Sequence, residues 1–209
     1  MAQVEVVTPL KVKQYDIDKF VNANLDWIER HKRKILDNIE QDENLSNIPP
    51  EKIHFPLISK TYQVKYFSVV KKPKFSIKDN VISIYSDCDE EKRKYLKKVI
   101  HNIAKVELTR LLEEISHSNQ MPYNRVFIKA QKSRWGSCSS KKNINLNRNL
   151  IFLNLTQVEY LIVHELCHTV HMNHSSLYWQ LVSEFIPDYK TIDKSLRNAT
   201  INIPLWALS

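Results

Sequence analysis

YLIVHELCHTVHMNHSS, residues 160–176, runs from four apolar-faced residues into a segment carrying four of the chain's eight histidines. On an α-helix each residue advances about 100°, so His164 and His168 stand about 40° apart on one face, one turn along the axis. Two imidazoles so placed can converge on a single cation. Glu165 sits about 100° round from His164, near enough to reach a water beside that cation without occupying a coordination position. This is the HExxH arrangement, in which the glutamate acts as general base. Its apolar lead-in places the helix against a core, so the chemistry of the molecule is expected on a helix.

A catalytic zinc takes three protein ligands and leaves a fourth position open, so the third ligand decides the site. His171 shares the face of His164, but seven helical residues set it roughly 10 Å further along the axis, too far for an unbroken helix to aim both at one ion. His174 is the leading candidate, provided the chain leaves the helix near Met172 and Asn173 and folds back; asparagine tolerates the left-handed conformation of such a turn. Glu184 stays as the rival, because Glu184 and Asp188 form an ExxxD pattern resembling the third-ligand motif of the gluzincin metallopeptidases. Cys167, about 60° from His164 on the helix, and Cys138 in GSCSS are soft ligands in principle. Both read more simply as small buried side chains.

Outward from the motif, Thr156 followed by Glu159 forms a capping-box pattern, so the helix is expected to begin at Thr156. Ser175 or Ser176 caps a following helix through Phe185, which Pro187 ends or kinks, and a last short helix covers Thr191 to Arg197. Upstream, RVFIKAQ and INLNRNLIFL read as strands and Asp89 to His117 as a long amphipathic helix. In KFSIKDNVISIYS, Asp79-Asn80 marks a hairpin turn, preceded by the strand YQVKYFSVV. A strand at Val4 to Val7 and a helix from about Asp16 to Gln41 precede a linker, DENLSNIPPEK. The expectation is an α+β fold, with an active-site helix packed on a small, mainly antiparallel sheet. One domain over 1–209 is expected, made of an N-terminal helix and strand region (1–88) and a core (89–209).

Composition narrows the chemistry. The chain has 209 residues and one glycine, Gly136, so glycine-rich phosphate loops are excluded. Gly136 marks the place where the backbone can take positive φ or be approached closely. Net charge is +8, and residues 121–150 hold Arg125, Lys129, Lys132, Arg134, Lys141, Lys142 and Arg148 with no acidic residue. Such a stretch suits an anionic partner, a nucleotide or nucleic acid, as well as plain solvation. No apolar run approaches the roughly 20 residues of a membrane span. Three cysteines and the absence of a secretory leader point to a reducing cytoplasm.

QKSRWGSCSS (131–140) followed by HELCHTVHMNHSSLYW (164–179), with IDKFVNANLDWIERH upstream, resembles the YgjP-like metallopeptidase family, relatives of the SprT-like zinc proteases. The resemblance implies one zinc on His164, His168 and His174, catalysis by Glu165, and a zincin-like core with the RWGSCS strand lying against the active-site helix. The expected activity is peptide hydrolysis by a zinc-activated water. Arg134 is a candidate substrate contact. Tyr178 reads as a packing residue, with a role as donor to an oxyanion set beside it. Two further readings are a nucleoside triphosphate pyrophosphohydrolase, which the resemblance also permits, and a nucleic-acid-associated protease.

Overall fold

The computed structural model describes residues 6, 8, 12–30, 33, 49–68 and 72–208. It divides into two compact units, Met1–Ile48 and Pro49–Ser209. In the first, helix α1 covers Gln14–Ala23 and the backbone is helical again over residues 25–30 after a turn at Asn24. Of the strand expected at Val4 to Val7 only Val6 is among the described residues; the helix beyond residue 33 and most of the linker lie outside them.

The second unit begins with four strands: β1 (Lys52–Phe55), β2 (Lys60–Phe67), β3 (Lys74–Lys78) and β4 (Val81–Tyr85), in the order β1-β2-β4-β3. The β3–β4 hairpin turns at Asp79 and Asn80 with φ of 50° and 62°. Two consecutive positive φ values are what a type I′ turn requires, and Asp and Asn tolerate them. Alternate residues of these strands, Ile53, Phe55, Tyr62, Val64, Ile82 and Ile84, are buried. They share one hydrophobic core with helix α2 (Asp89–Ser118), which buries Leu96, Val99, Ile100, Ile103, Ala104, Leu108, Leu111 and Leu112. That three-and-four spacing is one helical face. The strands before residue 88 and the helical core after it therefore belong to one unit; the observed division falls at residue 48.

After α2 come β5 (Arg125–Lys129), β6 (Gly136–Cys138) and β7 (Asn143–Asn147), a second sheet in the order β5-β7-β6. Instead of one mainly antiparallel sheet there are two small ones, each combining a parallel pair (β2 with β4, β5 with β7) with antiparallel ones. The strand expected over INLNRNLIFL stops at Asn147. There the Asn147 side chain accepts a hydrogen bond from the Asn149 amide and starts a 3-10 turn over Arg148–Phe152.

Helix α3 (Leu155–Cys167) carries the histidine motif, followed by α4 (Ser176–Phe185), α5 (Tyr189–Arg197) and α6 (Leu205–Leu208). The N-cap of α3 is Asn154, whose side chain accepts from the Gln157 amide, and not Thr156. Asparagine caps at least as well as threonine, and it takes the position two residues earlier. Ser175 caps α4 as expected, accepting from the Tyr178 amide. No described helix is long and apolar enough to cross a membrane.

Candidate metal centre

The end of α3 determines the site. The helix stops at Cys167, and Thr169, Val170 and His171 donate their amides to Leu166, Cys167 and Cys167. The chain thus turns back about five residues sooner than Met172-Asn173, and Asn173 is not among the residues with positive φ. The early exit leaves enough chain to bring His174 over the last helical turn. His174 Nε2 lies 3.2 Å from His164 Nε2 and 3.2 Å from His168 Nε2. One ligand atom from each of the three residues lies within 4.8 Å of the others. Of the two candidates for third ligand, His174 is the one brought to the pair; Glu184 is not part of the cluster.

Which nitrogens are free follows from their partners. His168 Nδ1 lies 3.0 Å from the carbonyl oxygen of His171. A carbonyl only accepts, so Nδ1 carries the proton and Nε2 presents a lone pair. On the other side Tyr160 donates its hydroxyl to Asp193 Oδ1 at 3.0 Å, leaving its oxygen to accept from His164 Nδ1 at 3.5 Å. His164 Nε2 is then also a bare lone pair. Arg197 holds Asp193 Oδ2 through Nη2 at 2.6 Å and Nε at 2.9 Å. His174, exposed, is fixed by stacking: its ring lies on Trp179 (centroids 5.4 Å apart, 24° between planes), which stacks on Tyr189 (5.2 Å, 15°).

These residues fit a divalent ion. Metal–nitrogen distances of about 2.0–2.1 Å in tetrahedral geometry separate neighbouring ligand nitrogens by roughly 3.3 Å, close to the 3.2 Å from His174 to each of the other two rings. Burial lowers the pKa of His164 to about 4, with the neighbouring His168 and His174 pushing the same way and Asp193 opposing; burial also lowers that of His168. Both rings are therefore neutral near pH 7, the form that ligates.

Glu165 is 4% exposed, and its Oε2 has no hydrogen-bond partner. Burial raises its pKa to about 8, against the pull of Arg134. A nearby cation would favour the ionised form. The lone glycine explains the room the carboxylate occupies. Gly136 does not have positive φ; a Cβ built there would come 2.6 Å from Glu165 Oε1, 2.9 Å from Cγ and 3.0 Å from Cδ. The RWGSCS strand thus lies against α3 because its one side-chain-free position receives the glutamate.

Arg134 is exposed, in a loop whose carbonyls at Gln131 and Arg134 both accept from Asn147 Nδ2. Tyr178 is fully buried; its hydroxyl donates to the His164 carbonyl at 3.0 Å and its ring stacks on His168 at 4.4 Å. Its proton is committed to the helix here, and the ring packs against and orients His168. Burial pushes the Cys138 thiol up to about 11 and the Cys167 thiol up to about 12, disfavouring the thiolates that ligation needs. Sequence reading missed Tyr160, Asp193 and Trp179 as supports of the histidines.

A family model described as YgjP-like, metallopeptidase domain, matches residues 1–199. Among solved structures, the zymogen of jannalysin from Methanocaldococcus jannaschii is 20% identical, with a TM-score of 0.40, covering 44% of this chain and 96% of its own. The zymogen of abylysin from Pyrococcus abyssi is 26% identical, with a TM-score of 0.39, covering 44% of this chain and 92% of its own. None of the curated proteins compared with the chain matches it. With nearly its whole length spanned by that model, the chain belongs to the YgjP-like metallopeptidase family.

Proposed function

We propose that this metallopeptidase is a zinc enzyme with one ion per chain on His164, His168 and His174, and with Glu165 as general base. The carrying observation is the convergence of three Nε2 atoms, with the residue that follows His164 in the chain a buried glutamate whose carboxylate has an unpartnered oxygen. A bound divalent ion supplies acidified water and a polarised substrate carbonyl. Glu165 takes the proton of the attacking water and returns it to the leaving amine. Tyr160 and the His171 carbonyl keep the imidazoles in the ligating tautomer. Among the described residues β6 is an edge strand with one side unpaired, and it lies against Glu165, so an extended peptide pairing with it would run past the base. Arg134, beside Glu165 on a pinned loop, is proposed to contact the substrate.

The nucleotide-hydrolase and nucleic-acid readings, drawn from the basic stretch and the sequence resemblance, gain no support from the matching family model, which is described as a metallopeptidase domain. The three cysteines are free, which suits a reducing compartment such as the cytoplasm. Metal analysis of purified protein, with peptide-cleavage assays of wild type and Glu165→Gln, tests the proposal. Glu165→Gln is expected to retain one equivalent of metal and to lose turnover by about 10²–10⁴-fold; a variant as active as wild type removes Glu165 as base.

A further inference from the structure

The wall of the metal centre continues into a pocket that bond cleavage itself does not use. Trp179 of α4 belongs to both. Its ring lies 5.9 Å from that of His164 and 5.4 Å from that of His174, centroid to centroid. The same residue lines a cavity of about 470 Å³ together with Tyr189, Lys190, Asp193, Lys194 and Arg197 of α5. Residues 190, 194 and 197 follow the four-and-three spacing of one helical face, so three cations stand in a row along this cavity.

The charge of the pocket is unbalanced. Asp193 is the one carboxylate lining it, and both of its oxygens are engaged, Oδ1 by the Tyr160 hydroxyl and Oδ2 by Nε and Nη2 of Arg197. Lys190 and Lys194 are exposed, and neither forms an ion pair among the described residues. Lys190 lies over the Tyr189 ring at 5.9 Å, and Tyr189 in turn stacks on Trp179. The cavity therefore combines an aromatic wall with two ammonium groups that lack a counter-charge. Its volume is several times the roughly 30 Å³ share of one water, enough for a side chain. An extended peptide advances about 3.3 Å per residue. With its scissile carbonyl at the metal, a substrate thus carries a side chain within one or two residues of the Trp179 wall. A basic side chain there meets like charge, and an amide forgoes the attraction that a carboxylate gains.

We propose, resting on the peptidase reading above, that this cavity is the specificity pocket and takes an acidic side chain, glutamate or aspartate, one or two residues from the scissile bond. Lys190 and Lys194 meet its carboxylate, and Trp179 and Tyr189 pack against its methylene groups. Arg197, already held by Asp193, adds to the positive field. The preferred substrates are acidic peptides.

The test uses the full-length, zinc-loaded protein and internally quenched peptides of an otherwise neutral sequence, in which Glu, Gln or Lys is placed at one position at a time. Mass spectrometry locates the cut bond, and metal content measured on each preparation normalises kcat. At one position near that bond, Glu is expected to exceed Gln by about 5–10-fold in kcat/KM, chiefly through KM, with the ratio shrinking as salt screens the exposed lysines. Lys190→Glu/Lys194→Glu should reverse the order, so that the Lys peptide is cut faster than the Glu peptide. Lys190→Gln/Lys194→Gln should bring Glu level with Gln. A Glu-to-Gln ratio near one in wild type, or a preference that both variants keep, overturns the proposal and leaves the peptidase reading intact. Absence of metal-dependent cleavage of every peptide strikes at that reading instead and removes both.

Discussion

At the scale of single residues, the glutamate and its neighbours govern the chemistry. Gly136→Ala places a methyl group where Glu165 Oε1 lies 2.6 Å from the built Cβ, so the carboxylate must move. Misplacing a catalytic group by about 1 Å costs roughly 10²-fold. We expect Gly136→Ala to bind metal normally and to cleave peptide about 10²-fold more slowly, checked by kcat and metal stoichiometry on the same preparation. Asp193 acts one step further out, holding Tyr160, which faces His164. Asp193→Asn should weaken metal affinity by about 10–100-fold, measured by competition with a chelator. An affinity within twofold of wild type would show that the Tyr160 hydroxyl orients His164 unaided.

At the scale of elements, helix α3 was legible and its ends were not. HExxH specifies two ligands through helical periodicity, which depends only on neighbours in sequence. The cap at Asn154 was hidden because Thr156 and Glu159 offered a competing capping box, and local pattern cannot rank two good caps two residues apart. The helix end was hidden too, since the turn after Cys167 is closed by main-chain hydrogen bonds and needs no glycine or left-handed asparagine. The supports of the site were beyond reach for another reason: Tyr160 meets Asp193 across 33 residues and Trp135 meets Leu196 across 61. The β3–β4 hairpin, by contrast, was readable, since Asp-Asn favours the positive φ that its turn needs. Asn80, with φ of 62°, is the position where a β-branched residue is least tolerated. Asn80→Val should destabilise the protein by about 1–2 kcal/mol in urea titration, with the m-value unchanged.

At the scale of the molecule, every residue assigned to the metal centre lies in Pro49–Ser209, together with the large buried core. We expect residues 49–209, produced alone, to fold cooperatively and bind one metal ion. Adding a chelator should lower Tm, because an ion that binds only the folded state stabilises it by mass action. A Tm insensitive to metal and chelator alike would deny the histidines an ion. The scarcity of glycine reaches further than Glu165. Ser59, Asp79, Asn80, Gln120 and Lys142 all hold positive φ without being glycine, so the native state accepts modest local strain. In return the denatured ensemble is stripped of its most permissive hinges, each worth about 0.4–1 kcal/mol of unfolded-chain entropy. Replacing these five with glycine would relax the turns while enlarging the disordered state, and the two effects oppose each other.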